Sequence, residues 1–243
     1  MLVAEGADVI VAMGTPGLKA VQQHTRTLPV VFTMVADPVG QGLIDNLAHP
    51  GGHATGFTNF EFSIGGKWLE LLRELDPRIT RVTLINNPLN AANHPLVEAI
   101  TRSARSIRTE VDVASVRNAA EIETAIAVAA QRPGGGLIIV PDSLPVVHRA
   151  LIVGLAEQLR LPTMYPFRVF TVNGGLISYG LDFADIYRQA ANYADRILRG
   201  TKPSALPVQA PTKFELIINL KTAKELGLEI PPTLLARADE VIE

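Results

Sequence analysis

The chain has 243 residues, of which 47% are hydrophobic and 19% are charged, so it can build a core, and a disordered or collagen-like chain is excluded. Its 22 basic and 24 acidic residues give a net charge of −2, and without a basic excess nucleic acid is not expected as a partner. It contains no cysteine, which excludes disulfides, thiolate nucleophiles, zinc–thiolate sites and iron–sulfur clusters.

Short apolar runs rich in β-branched residues alternate with segments of helical period along the chain. The first strand is predicted at residues 9–11, followed by a helix over 16–23 and a strand at 30–32. Apolar residues spaced three or four apart predict further helices, including one with Leu96, Ile100 and Ala104 and one with Val147, Leu151, Leu155 and Leu159. Further strands are predicted at residues 82–85, 111–113, 137–140, 176–179 and 214–218. Repeated strand–helix units predict an α/β fold with parallel sheets.

The order of these elements favours two lobes over one continuous sheet. The N-terminal lobe is predicted to contain residues 1–60 plus 175–205, and the C-terminal lobe residues 61–174. Residues 206–243 are predicted to form a strap, a hinge strand and a C-terminal helix. Three prolines within residues 202–211 favour an extended strap, because proline is unsuited to a helix interior or a central strand.

Polar residues follow the predicted strands in both lobes. Ligands of parallel α/β sheets bind at the carboxyl ends of strands, where helix N-termini offer free N–H groups. Thr15, with Gly14 and Pro16 beside it, is the predicted N-cap after the first strand, and Asp37 follows the second. Each such residue also has an ordinary role as a cap, a turn residue or a core tyrosine, so the prediction depends on their convergence in one cleft. Either Asp142 or Ser143 is the predicted N-cap of the helix that starts at Pro145. The other members of the predicted site are Thr58, Asn87, Asp142, Ser143, Tyr165 and Tyr179.

Enzymatic alternatives find little support. Residues 51–58 approach a phosphate-binding loop, but Phe57 occupies the lysine position. Ser178 lacks the flanking glycine of a nucleophile elbow, and no glycine-rich fingerprint opens a helix. His49 and His53 flank Pro-Gly-Gly, which prevents the helical spacing of a metal pair. We therefore predict no enzyme activity, no catalytic residue, no metal and no cofactor.

Longer motifs are present at Asp37-Pro38-Val39, at residues 47–52 with Thr55-Gly56, at residues 174–180 and in the tail at 211–242. Together they resemble one protein family, the substrate-binding components of ABC transporters with the type I periplasmic-binding-protein fold, in the subgroup that includes tryptophan-type binders. The resemblance covers essentially all 243 residues.

The resemblance implies two doubly wound lobes, joined by three crossover strands and a hinge, that close on an amino acid or an aromatic acid. It also implies a periplasmic or extracytoplasmic location and delivery of the ligand to a membrane permease. The family's cleft-lining positions correspond to the strand-end residues given above. Thr15, Thr58 and Ser143 would hold the carboxylate, Asp37 or Asp142 the amine, and Tyr165 or Tyr179 the apolar part. The alternative is a ligand-sensing module of the same fold coupled to a protein partner.

The N-terminus departs from the family pattern. Family members carry a signal peptide and a first β-α-β unit before the equivalent of Val9, whereas residues 1–7 look like the end of that unit's last helix. The N-terminal lobe is therefore expected to be incomplete, with an exposed edge strand at residues 8–13. Either Met1 is a misplaced start of a longer exported monomer, or the short form is real and forms a homodimer through this edge. No signal peptide is visible in this numbering, which leaves a cytoplasmic location open.

Overall fold

The structure is a computed structural model that describes residues 6–59 and 62–243. The chain forms two compact units. Unit 1 contains Met1–Glu61 and Leu181–Lys213, and unit 2 contains Phe62–Gly180 and Phe214–Glu243. The chain therefore passes from one unit to the other three times.

Strands and helices alternate along most of the described chain. The strands are β1 (Ile10–Met13), β2 (Val30–Val35), β3 (Ala54–Thr58), β4 (Arg81–Asn86), β5 (Glu110–Ser115), β6 (Gly135–Ile139), β7 (Thr163–Tyr165), β8 (Ile177–Leu181), β9 (Phe214–Asn219) and β10 (Glu240–Ile242). The helices are α1 (Gly14–His24), α2 (Ile64–Leu75), α3 (His94–Ser106), α4 (Ala119–Ala130), α5 (Ser143–Val147), α6 (Arg149–Gln158), α7 (Arg168–Thr171), α8 (Phe183–Leu198), α9 (Leu220–Glu225) and α10 (Pro232–Leu235). None of these helices has the length and apolar character that a membrane-spanning segment requires.

The described sheet of unit 1 is parallel, in the order β1-β2-β3. Its core includes Leu18 of α1 and Phe32 of β2, both fully buried. The proline-rich segment forms a 3-10 turn at Pro203–Ala205 and then runs beside β3. There the Gln209 N–H donates to the Gly56 carbonyl at 3.0 Å and the Thr58 N–H donates to the Gln209 carbonyl at 2.9 Å. The strap therefore belongs to unit 1.

Strand β1 has β2 as its one partner in the part of the chain that the structure describes. Its burial alternates, so that Val11 and Met13 are 49% and 59% exposed while Ile10 and Ala12 are buried. The Tyr187 hydroxyl lies 3.2 Å from the Met13 sulfur. The expected homodimer through this edge stays a prediction. The assignment of residues 1–7 to the end of a helix also stays a prediction, because residues 1–5 lie outside the described residues.

Unit 2 contains a larger sheet in the order β10-β9-β8-β7-β6-β4-β5. Strands β5, β4, β6, β7 and β8 are parallel neighbours, and β9 is parallel to β10. Ile139 of β6 packs in a core cluster with Ile126 of α4 and Ile152 of α6. Gly136, on the opposite face of β6, lies against Leu72 of α2. Helices therefore cover both faces, which confirms the predicted doubly wound parallel sheet.

Helical spacing predicted one buried helix face correctly and a second one in part. Leu96, Ile100 and Ala104 form the buried face of α3, as expected. The predicted helix through Val147 is instead two helices, α5 and α6, divided at His148. Val147 is 71% exposed, whereas Leu151, Leu155 and Leu159 are half-buried and pack against the core beside the buried Ile152, Val153 and Ala156. The break explains the error at Val147, because a helical period does not continue past the end of a helix.

The predicted domain boundaries are wrong for the segment that starts near residue 175. Strand β8 joins the sheet of unit 2, where Met164 pairs with Ile177 and Tyr165 pairs with Ser178. Its following helix, α8, belongs to unit 1, and β9 returns to unit 2. An apolar strand pattern carries no information on which sheet the strand joins. The prediction therefore placed β8 and α8 in the same lobe, which is wrong for β8.

Candidate functional site

The strand order of unit 2 reverses between β4 and β6. The chain runs from β4 outward to β5 and then returns past β4 to β6. The helices after β4 and β6 therefore leave on opposite faces, and the carboxyl ends of two such strands are the place where α/β proteins generally bind ligands. Asn87 follows β4 at this point, and Asp142 and Ser143 follow β6.

Asp142 joins the two loops at this switch point. Its Oδ1 accepts the Asn87 Nδ2 at 3.0 Å and the Leu144 backbone N–H at 2.9 Å. Its Oδ2 accepts the Asn90 Nδ2 at 2.8 Å. Asp142 is thus the N-cap of α5, as one of the two predicted alternatives, and Ser143 is exposed at the first position of that helix.

Two further asparagines lie at this point, and neither was a member of the predicted site. Asn93 is buried and donates from Nδ2 to the Pro141 carbonyl at 3.0 Å. Asn86 ends β4 at 5% exposure, and no described residue donates to its Oδ1. The available signal was the density of asparagines at positions 86, 87, 90 and 93, directly after a buried strand.

In unit 1, the loops after β1 and β2 are in contact. Helix α1 begins at Gly14, whose φ of +68° is readily adopted only by glycine. Thr15 and Pro16 lie in the first turn, and no side chain caps the helix, so the prediction of Thr15 as N-cap is wrong. The Gln41 Nε2 lies 3.5 Å from the Thr15 Oγ1 and 2.7 Å from the Ala36 carbonyl oxygen, which connects the two loops.

Asp37 is exposed and follows Ala36 in a tight turn. Its φ is +39°, in the left-handed region that aspartate and asparagine tolerate. Its Oδ1 accepts the Gly40 N–H at 2.9 Å. A Cβ at Gly40 would lie 2.1 Å from the Asp37 Oδ2, so a larger residue there would displace the Asp37 carboxylate. Thr58 ends β3 and is half-buried, with its hydroxyl 3.5 Å from the Gln209 carbonyl oxygen.

The two tyrosines of the predicted site have different surroundings in unit 2. Tyr165 is 1% exposed, its ring stacks on Phe170 at 4.9 Å, and burial raises the pKa of its hydroxyl. Tyr179 is half-buried with its ring 5.7 Å from that of Phe214. Burial, and secondarily the carboxylate of Asp239, raise the Tyr179 pKa. Tyr165 is therefore a core residue with no ring face open to a ligand.

The structure thus brings the predicted residues together in groups within each unit. Asn87, Asp142 and Ser143 lie together in unit 2, and Gly14, Thr15 and Pro16 lie next to the loop of Asp37 in unit 1. Among residues 6–59 and 62–243, no cluster of histidine and acidic side chains could hold a metal ion. A shallow depression of about 380 Å³ between α9 and α10 is lined by residues such as Leu228 and Leu235, and contains none of the strand-end residues.

The model of a family described as "ABC transporter substrate binding protein" matches residues 1–242. The chain belongs to this family. A tyrosine-binding protein of Clostridioides difficile (strain R20291) is 27% identical over 228 residues, 93% of this chain and 65% of that protein. The chain thus spans less than two thirds of this curated relative.

Two solved structures are similar over nearly the whole chain. A conserved domain protein from Vibrio cholerae is 30% identical with a TM-score of 0.87, covering 99% of this chain and 80% of that one. An ABC domain from Streptococcus pneumonia in complex with L-Trp is 26% identical with a TM-score of 0.87, covering 99% and 81% respectively. The family and these structures confirm the predicted α/β periplasmic-binding-protein-like fold. The matched family is one of substrate-binding proteins and not of enzymes, in agreement with the sequence-based prediction.

Proposed function

We propose that this ABC transporter substrate-binding protein captures an L-amino acid with an aromatic side chain and delivers it to a membrane permease outside the cytoplasm. The observation that carries this proposal is the family match over residues 1–242. Similarity to a protein named for tyrosine binding and to a structure holding L-Trp supports the ligand class. Transport by a permease follows from the role of such proteins in ABC systems.

The proposed ligand contacts are the strand-end loops of each unit. In unit 1, the Thr15 and Thr58 hydroxyls would donate to the ligand carboxylate, and Gly14 and Pro16 shape the loop beside them. In unit 2, the exposed Ser143 offers a further hydroxyl. Helix α1 adds its first-turn N–H groups, which have no acceptor within the helix and favour an anion. An acidic side chain, either Asp37 or Asp142, would hold the ammonium group.

Aromatic contact is assigned to Tyr179. Its ring is half-buried and could stack on an indole or phenol, whereas Tyr165 has no free ring face. Asn87 is proposed to shape the loop after β4. Its side-chain NH2 group donates to Asp142, and its side-chain Oδ1 accepts a hydrogen bond from the Leu89 N–H at 3.0 Å.

A thermal-shift screen of the 243-residue chain against L-amino acids, their D-enantiomers and aromatic acids tests the proposal. A ligand present at several hundred times its Kd stabilises the folded state by about 3–4 kcal/mol, which raises the melting temperature. We expect such a rise with L-tryptophan or L-tyrosine and none with the D-enantiomers. The absence of any shift across the panel would contradict the proposed function.

A further inference from the structure

We propose that the two carboxylates of the candidate site have different roles. Asp37 accepts the ammonium group of the ligand, while Asp142 is a positioning residue that fixes the loops after β4 and β6 without contacting the ligand. This inference rests on the proposed function, because it assigns roles within the same site.

The surroundings of Asp142 argue for a positioning role. Three donors from its own unit, the Asn87 and Asn90 side-chain amides and the Leu144 backbone N–H, are bonded to its two oxygens at 2.8–3.0 Å. These bonds hold the asparagine loop after β4 against the start of α5. Hydrogen bonds to an ionised acceptor are stronger than neutral ones, so three of them stabilise the carboxylate without a cation. An ammonium group would therefore have to compete with donors that are already in place.

Asp37 has the opposite surroundings. One backbone N–H, that of Gly40, bonds its Oδ1, and within residues 6–59 and 62–243 no hydrogen-bond donor meets its Oδ2. The side chain is exposed, so this oxygen can accept a donor from a ligand. Its backbone position is fixed, because the Gln41 N–H donates to the Asp37 carbonyl at 3.1 Å. A preorganised acceptor of this kind binds with a small entropic cost.

The position of Asp37 also suits a zwitterion. The ammonium and carboxylate groups of an α-amino acid are attached to the same carbon, so their partners in a protein must be neighbours. Gln41 bonds the carbonyl of Ala36, which directly precedes Asp37, and its amide also reaches the Thr15 hydroxyl. Adjoining loops of unit 1 therefore carry the Asp37 carboxylate, which can accept a hydrogen bond from an ammonium group, and the Thr15 hydroxyl, which can donate one to a carboxylate.

The test compares Asp37→Asn and Asp142→Asn with two ligands that differ in the amino group alone. These are L-tryptophan and 3-(indol-3-yl)propionate, which has the same ring and carboxylate but no amine. Asn at position 37 keeps the acceptor for Gly40 and tolerates a positive φ, so the turn is retained. Asp195→Asn, an exposed carboxylate on α8, is the matched control and is expected to leave both affinities unchanged.

We expect Asp37→Asn to weaken L-tryptophan binding at least tenfold and to change binding of the propionate less than twofold. The loss corresponds to one hydrogen bond to a charged group. Asp142→Asn is expected to weaken the binding of both ligands by the same factor, about tenfold, because it displaces the loops and removes no ligand contact. Selective loss of L-tryptophan in Asp142→Asn, with Asp37→Asn unaffected, would overturn the assignment.

The double variant Asp142→Asn/Asn90→Asp separates a positioning role from general damage. In Asp142→Asn, the retained Oδ1 still accepts hydrogen bonds from the Asn87 side chain and the Leu144 N–H. The new side-chain NH2 group, however, faces the NH2 group of Asn90, and two donors cannot form a hydrogen bond. Exchanging Asn90 for Asp restores the donor–acceptor pair. We expect both affinities to return to within threefold of the wild type. Continued loss of affinity in a folded double variant would contradict the positioning role.

Failure of the inference is distinguishable from failure of the proposed function. If the wild-type chain binds neither L-tryptophan nor any other amino acid, the proposed function fails and the inference fails with it. If the wild type binds L-tryptophan but Asp37→Asn binds it equally well, the function stands and the role of Asp37 is rejected.

Discussion

The strand-end loops of the two units use their polar side chains differently. In unit 2, Asn87, Asn90 and Asn93 are bonded at 2.8–3.0 Å to Asp142 or to the Pro141 carbonyl, so these groups are partnered within the protein. In unit 1, the contacts of the Thr15 and Thr58 hydroxyls are both 3.5 Å long, and the side chain of Asp37 accepts one backbone N–H.

This difference indicates a division of labour between the loops. Polar groups that are partnered internally stabilise a loop and fix its shape, whereas groups with weak partners keep their capacity to bind a ligand. Substitutions in the unit 2 network, which consists of Asp142 and the asparagines at 87, 90 and 93, should therefore reduce stability. Substitutions of the weakly bonded groups in unit 1, Thr15, Thr58 and Asp37, should reduce ligand affinity alone.

The largest expected effect is on the unit 2 network. Asn93→Ala removes a buried donor and leaves the Pro141 carbonyl without its partner, which should destabilise the protein by about 1–3 kcal/mol. Urea denaturation monitored by the fluorescence of Trp68, the one tryptophan of the chain and fully buried in unit 2, measures this loss. Asn192→Ala, at an exposed position of α8, is the control. A change below 0.5 kcal/mol, about the size of a neutral surface substitution, would show that the network is not stabilising.

A smaller effect is expected at Asp182, the stabilising carboxylate of unit 1. It caps α8 by accepting the Asp185 N–H at 3.0 Å, and it pairs with Lys213 at 2.8 Å. Asp182→Ala should cost about 1 kcal/mol through the lost cap. Asp182→Asn, which keeps a cap acceptor, should cost less, and Asp37→Asn should cost almost nothing.

The contribution of Asp182 should also depend on pH. The hydrogen bond from Lys213, and then that from the Asp185 N–H, lower the Asp182 pKa below its usual value of 3.8. A carboxyl whose pKa is lowered by folding contributes its full stabilisation above the unfolded pKa and loses it as pH falls through the folded pKa. The difference in stability between the wild type and Asp182→Asn should therefore be constant from pH 7 to about pH 5 and shrink in stronger acid. A difference that grows in acid would contradict this sign.

An increase in stability is expected from a substitution in α6. Gly154 is exposed, and a Cβ built there meets no atom within 4 Å. Gly154→Ala should stabilise the protein by about 0.5–1 kcal/mol, because alanine loses less backbone entropy in a helix. A higher urea midpoint with an unchanged slope would confirm it and would calibrate the losses measured in unit 2. A lower midpoint would indicate a contact that the structure does not contain.

The smallest effect on stability is expected at Thr15. Its hydroxyl has a weak contact of 3.5 Å with Gln41, so Thr15→Ala should change the free energy of unfolding by less than about 0.5 kcal/mol. The same variant should weaken the binding of L-tryptophan several-fold, since one donor to the carboxylate is lost. Stability from urea denaturation and affinity from titration are compared on one preparation. A loss of stability without a loss of affinity would reverse the distinction between the two units.

Local patterns in the sequence were sufficient for much of the fold. The apolar spacing at Leu96, Ile100 and Ala104 identified a buried helix face, and the Asp142-Ser143 pair before Pro145 identified a helix start. Both signals act over a few residues, where backbone geometry and capping determine the structure.

Features that depend on distant partners were not predictable in this way. The pairing of β8 with β7 is set by tertiary packing, and an apolar strand is compatible with either sheet. The burial of Tyr165 depends on Phe170 and on the surrounding core of unit 2. Asn93 and Pro141 are far apart in sequence, and their hydrogen bond exists because two parallel strands end side by side.

The most direct test of the account is a calorimetric titration of the full 243-residue chain with L-tryptophan and with L-tyrosine. We predict saturable binding of one ligand per chain for at least one of them, with a negative heat-capacity change from burial of the aromatic ring. Heats that do not saturate for either amino acid would contradict the account.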